Sequence, residues 1–212
     1  MHINFMPAVP LPEDAPERRE LKPHEERALK KAQAFSETGR GYAIMHETRP
    51  GTIGIVVGSS PIALLAWSQS LPFRGSAKDA HADLALRNHS VGEKFLTWTD
   101  ETPPLDTILA ICTMWWIRDS YPSSIWAYPD ELQYTMDEFH QDAKYRLDKP
   151  FGISSFKEEI NMAPKVMAQR NGNLQFFRYH EKGGHFAAIE QPELLAKDLQ
   201  DCFTQIWCFS QE

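Results

Sequence analysis

Apolar positions along this chain fall into runs of two periods. Phe151–Ser155 (FGISS), after Pro150, and Asn173–Tyr179 (NLQFFRY) are short apolar and aromatic runs and predict strands. Met1–Phe5 (MHINF) alternates weakly and predicts a third, shorter strand. Pro192–Phe209 carries Leu195, Leu199, Phe203 and Trp207 at four-residue spacing, which predicts an amphipathic helix with that stripe in the core. Pro23–Ser36 predicts another helix, with Glu25 and Glu26 in its first turn, Lys30 and Lys31 after them and Gly39 beyond its end. Pro61–Trp67 (PIALLAW) and the strongly apolar Leu105–Ile117 make most of the middle helical. Pro7–Pro16 holds four prolines and reads as an extended linker. Ser68–Val91 is different: 24 residues, polar in character and without sustained periodicity, unusual inside a compact domain and read as a solvated insertion. No internal repeat is visible.

Composition narrows the class. With 212 residues, 42% of them apolar, including 6 Trp and 12 Phe, the chain can bury a substantial core. A net charge of −7 argues against nucleic acid or an anionic membrane surface as partner. No apolar run reaches the roughly 18 residues of a spanning helix, and the N-terminal sequence lacks the basic-then-apolar pattern of a secretory signal. Cys112, Cys202 and Cys208 lie in apolar helical surroundings and read as buried free thiols, not as a disulfide or metal site. His81 and His89, with Asp79 and Asp83 nearby, are the nearest thing to a metal-ligand cluster, and a solvated insertion explains them better. Neither a metal nor a cofactor is expected. A cytosolic or membrane-peripheral location fits these features.

The chemistry concentrates at the C-terminal end. In YHEKGGHFAAIEQPELL, His185 follows a strand and two glycines and precedes a helix opened by Pro192. Gly183 and Gly184 let the backbone bend sharply, and a histidine there can enter a cleft at the C-terminal edge of a parallel sheet. A general base needs an acid to fix its tautomer and stabilise its imidazolium. Glu158 and Glu159 follow the strand at Phe151–Ser155, and Glu159 stands 26 residues before His185, room for a helix, a strand and a loop. Two loops at the ends of adjacent parallel strands can therefore bring Glu159 to the imidazole. A phenol can donate to an oxygen gaining negative charge; Tyr42, Tyr121, Tyr128, Tyr134, Tyr145 and Tyr179 all qualify, and spacing does not choose among them.

The pieces GYAIMHETRPGTIG, SPIALLAW, GEKFLTWTD, KPFGISSFKEEI and FFRYHEKGGHFAAIEQPELLAKDL, in this order, resemble the fungal and microsomal-type epoxide hydrolases of the α/β-hydrolase superfamily over most of the chain outside Ser68–Val91. The resemblance implies His185 as general base, Glu159 as its acid partner (many relatives carry aspartate there), and Tyr42 and Tyr128 as the two lid phenols that hold the epoxide oxygen. It implies hydrolysis of a lipophilic epoxide, such as an aromatic or terpenoid metabolite, to a vicinal diol through an alkyl-enzyme ester, in detoxification or secondary metabolism. The fold implied is α/β: a partial α/β-hydrolase fold of about three C-terminal parallel strands with a helical lid. Residues 1–22 would be a strand and linker, 23–148 the lid with its insertion at 68–91, and 149–212 the C-terminal part of the core.

Two family motifs are missing. None of the 11 glycines flanks an Asp, Ser or Cys in a Gly-x-Asp-x-Gly elbow, and there is no His-Gly-x-Pro oxyanion stretch. Both belong to the first half of the hydrolase domain, so the chain is expected to be truncated, with no nucleophilic aspartate and no epoxide hydrolysis alone. Relatives join PIALLAW to GEKFLTW almost directly, so the insertion reads as a retained intron or divergent frame. The Met1–Phe5 strand would expose an edge that invites self-association. Two other readings stand beside this one. One is a non-enzymatic fragment binding an apolar small molecule or a protein partner, with Trp115, Trp116 and Trp126 lining a pocket. The other is a related hydrolase acting on an ester.

Overall fold

Phe151–Ser155 shows no clean alternation because the strand it belongs to is covered on both faces. In the computed structural model, which describes residues 1–7, 15–68, 100, 104–128 and 143–209, the elements run β1 (His2–Ile3), α1 (Pro23–Ala34), α2 (Gly41–Thr48), α3 (Pro50–Gly58), α4 (Pro61–Ser68), α5 (Leu105–Ile117), α6 (Tyr121–Ser124), β2 (Leu147–Glu158), α7 (Lys165–Arg170), β3 (Gly172–Gly184), α8 (Ala187–Glu190) and α9 (Pro192–Phe209). They form two compact units: a sheet unit of residues 1–37, 98–101 and 135–212, and a helical unit of residues 38–97 and 102–134.

In the sheet unit, three parallel strands stand in the order β1-β2-β3, with His2 opposite Gly152 and Ser154 opposite Arg178. β2 and β3 are longer than the apolar runs that announce them. On one face, Phe151 and Ile153 pack with Met6, Met162, Ala163, Met167 and Ala168, and Leu29 of α1 closes over them. Glu25 ties α1 down at its first turn, accepting from its own Lys22 N–H at 2.9 Å and from the Lys165 N–H of α7 at 2.8 Å. At the other end, Lys31 Nζ donates to the Glu158 carbonyl and carboxylate at 2.6 and 2.9 Å. Thus α1, which chain order groups with the lid span 23–148, packs on the sheet.

The opposite face lies under α9. Gly152 permits the approach: a Cβ there would stand 2.3 Å from Cys202 Sγ. The apolar stripe expected of α9 does not describe its buried side. Phe203 and Trp207 are 49% and 71% exposed, whereas Asp198 and Cys202 are fully buried. The inward face follows 195, 198 and 202, and its centre is a carboxylate. Asp198 accepts from Ser154 Oγ of β2, from His180 Nε2 at 2.6 Å and from Arg178 Nη1 at 2.6 Å, both of β3; Ser154 in turn meets His2 Nε2 of β1 at 3.0 Å. Burial pushes the Asp198 carboxyl up, but these hydrogen bonds outweigh it and hold the group below the usual aspartate value.

The helical unit packs Ile53 and Val57 of α3, Leu64 of α4, Tyr121 of α6 and Ile125 around one another, with Trp67 and Tyr128 against them. Its longest helix among the described residues, α5, buries Ile108 and Cys112 and leaves Met114 and Ile117 65% and 76% exposed. Cys112 and Cys202 are free, and burial pushes both thiols up. Residues 69–91, with His81, His89, Asp79 and Asp83, lie outside the described residues, as do Tyr134 and the side chain of Cys208. No described helix is long and apolar enough to cross a membrane, and among the described residues no three His, Cys, Asp or Glu side chains converge as metal ligands would.

Candidate active site

Parallel pairing puts the C-terminal ends of β2 and β3 at one sheet edge, and both ends carry polar chemistry. β2 ends at Glu158, and the backbone turns there as Glu159 N–H bonds to the Phe156 carbonyl at 3.2 Å. This turns Glu159 inward, to 2% exposure. Its neighbour Glu158 points the other way, to Lys31. β3 ends at Gly183 and Gly184, both buried. Gly183 has φ +86°, and a Cβ on it would meet Phe156 at 2.8 Å and Gln191 at 2.9 Å, so this bend needs glycine. The bend delivers His185, whose Nδ1 lies 2.7 Å from Glu159 Oε1, with the imidazole about a quarter exposed. Phe5 and Phe186 stand edge-on to the ring at 5.5 and 5.0 Å.

An ionised carboxylate only accepts hydrogen bonds, so Nδ1 donates and Nε2 carries the imidazole lone pair. Glu159 Oε1 also takes the Ile160 N–H at 2.7 Å. Its Oε2 is buried and has no hydrogen-bond partner among the described residues. Among the described residues the unit contains two acid–imidazole pairs, and they differ in kind. His180 is stacked on Phe156 at 4.9 Å, only 11% exposed, and its acid is already neutralised by Arg178. Among the described residues Glu159 has no Lys or Arg partner, and His185 follows the C-terminal end of β3 with its side chain 26% exposed. The first pair ties strands and helix together; the second stands where β2 and β3 end.

In the helical unit, Tyr42 of α2 and Tyr128 stand with ring centroids 6.2 Å apart at 82°. Between them and the core lies His46, one helical turn after Tyr42, 5% exposed and 4.6 Å edge-on to Tyr128. Its Nε2 receives the Trp67 N–H at 3.2 Å and faces the Tyr121 hydroxyl at 3.0 Å. Burial lowers its pKa to about 4, so the ring is neutral at physiological pH. The same burial raises Tyr121. Of the other tyrosines, Tyr179 stacks on His24 at 3.9 Å and Tyr145 lies against Lys144. Trp115, Trp116 and Trp126 are 36%, 40% and 60% exposed.

Neither His46 nor the Asp198 cluster stands out in the sequence by motif. The spacing of Tyr42 and His46 places them on one helix face, and an aspartate at the centre of an otherwise apolar stripe is the signal that marks Asp198.

No family model matches the chain. A candidate epoxide hydrolase of Stigmatella aurantiaca is 33% identical over 213 residues, covering 97% of this chain and 41% of that protein. Epoxide hydrolase 1 of Sus scrofa is 29% identical over 76% of this chain and 33% of its own length. The solved structure of Aspergillus niger epoxide hydrolase superposes with a TM-score of 0.76 at 34% identity, over 97% of this chain and 46% of that one. The chain therefore spans less than half the length of these relatives. Over nearly its whole length it is similar to epoxide hydrolases, and it corresponds to a C-terminal portion of their α/β-hydrolase fold.

Proposed function

We propose that this chain carries the water-activating half of an epoxide hydrolase acting on a lipophilic epoxide, and that it does not open epoxides unaided. The observation that supports this most is the 2.7 Å bond between Glu159 and His185 at the shared edge of two parallel strands. In the proposed reaction a nucleophilic carboxylate, which no Gly-x-Asp-x-Gly elbow of this sequence supplies, attacks one epoxide carbon. The C–O bond breaks, and Tyr42 and Tyr128 donate hydrogen bonds to the oxygen as it gains charge, each worth about 2–4 kcal/mol in the transition state. His185 Nε2 then takes a proton from water, whose oxygen attacks the ester carbonyl, and Glu159 stabilises the imidazolium. The ester oxygen leaves with the proton of the attacking hydroxyl, the imidazolium returns its proton to the oxygen freed in the first step, and the carboxylate is restored. Splitting the reaction into two covalent steps avoids attack by neutral water on the epoxide.

Among the described residues β1 is the outer strand of the sheet, and an unpaired strand edge there would favour association with a second copy or a complementary polypeptide, in a cytosolic or membrane-peripheral setting. The test is complementation. The purified chain is incubated with styrene oxide alone, then with a polypeptide comprising the segment of the Aspergillus niger enzyme that precedes the matched region. Diol only in the mixture, abolished by His185→Ala, is expected. Diol from the chain alone would overturn the reading, and binding of the epoxide in both cases without turnover would favour a non-enzymatic role.

A further inference from the structure

The loop that presents His185 is held on both sides by carboxylates that play no part in the steps above. Before the histidine, Gly183 N–H donates to Asp100 Oδ2 at 3.3 Å. After it, Phe186 N–H donates to Glu190 Oε1 at 3.0 Å. The two acids are linked, because Asp100 N–H donates to Glu190 Oε2 at 2.7 Å. The ring Gly183–Asp100–Glu190–Phe186 thus closes around His185 and joins it to a residue 83 positions away in sequence from Gly183. Gly183 lies at the end of β3, where buried amides run out of strand partners and must find others. Burial pushes the Glu190 carboxyl up, and the amides of Asp100, Phe186 and Gly184 pull against it.

We propose that Asp100 and Glu190 are positioning residues for the general base: they fix the backbone on either side of His185 so that Nδ1 stays on Glu159. The assignment rests on the reading of His185 given above. A shift of a few tenths of an ångström in this loop lengthens the 2.7 Å bond and releases the imidazole to turn. A role confined to capping α8 would leave the ring as it is. The two roles are therefore separable on the histidine itself.

The experiment uses the full chain labelled with ¹⁵N-histidine, with long-range ¹H–¹⁵N spectra recorded at pH 8. The wild type is expected to show His185 as the Nδ1–H tautomer with a slowly exchanging proton. Asp100→Ala and Glu190→Ala should turn it into a tautomer mixture, with Nδ1–H exchange faster on the order of tenfold, as expected for loss of one charge-assisted hydrogen bond. Asp100→Asn and Glu190→Gln keep an acceptor and should restore most of the signal. His180, held by Asp198, reports whether the sheet is intact; if Glu190→Ala loses it, Asp100→Ala decides alone. Unchanged His185 nitrogens in a folded Asp100→Ala variant would overturn the clamp while leaving the Glu159–His185 pair standing. A wild type without the Nδ1–H tautomer would overturn the pair as well.

Discussion

Replacing Asp198 by alanine removes from α9 an acceptor that β2 and β3 share and that β1 reaches through Ser154. The cost follows from what is left behind. Ser154 is fully buried and His180 nearly so, and both lose the charged acceptor they converge on. Arg178 keeps Asp201 at 2.8 Å and is a third exposed, so its share is small. Two buried donors stranded at about 1–3 kcal/mol each, offset by partial collapse of the site, give a loss of about 3 kcal/mol. That is a large fraction of the roughly 5–15 kcal/mol that holds a domain together. The pH dependence has a definite sign. Asp198 titrates lower in the fold than unfolded, so its contribution is complete above an ordinary aspartate pKa of about 3.9 and fades as pH falls through its folded value. Urea unfolding followed by circular dichroism at pH 7 and at stepped acid pH measures both. A loss below about 1 kcal/mol at pH 7, or a difference between the two proteins that persists undiminished to the most acid pH, would refute the reasoning.

Three further outcomes are expected. Gly183→Ala forces a left-handed φ of +86° on a side chain that meets Phe156 at 2.8 Å; it should cost about 1–3 kcal/mol and abolish the His185 Nδ1–H signal, which nitrogen-detected spectra will show. His46 is neutral in the fold and titrates near 4, so the unfolded chain binds the extra proton first; the helical unit should lose about 3 kcal/mol as pH falls from 6.5 to 4. Tryptophan fluorescence during urea titration reads that slope, and His46→Phe should flatten it. In the complemented mixture of the hydrolysis assay, Glu159→Gln should slow diol release far more than formation of the alkyl-enzyme ester, because only the second step needs the imidazolium; equal slowing of both in rapid-quench experiments would contradict the assigned role.

Much of the site is legible in the sequence because its signals are local. A Gly-Gly-His run after an apolar strand, and an acid just beyond another strand, say what two sheet ends carry, and parallel pairing does the rest. The sheet itself is legible for the same reason, although only the centres of β2 and β3 stand out: the ends, such as Leu147–Pro150, are less buried and less apolar. The buried side of α9 is not legible in this way. A repeat of four residues picks out Phe203 and Trp207, but a helix turns every 3.6, and the stripe that meets the sheet drifts to Asp198 and Cys202.

Local pattern and motif determined the strands, the helices, which sheet ends carry a histidine and an acid, and the likeness to epoxide hydrolases. Only the tertiary structure decided which acid serves which histidine, that α1 belongs to the sheet, and that Asp100 reaches across 83 positions to the loop of His185. The reason is physical. Strand and helix period are properties of a few neighbouring residues, whereas the partner of a buried charge is whatever the packed chain brings within about 3 Å of it.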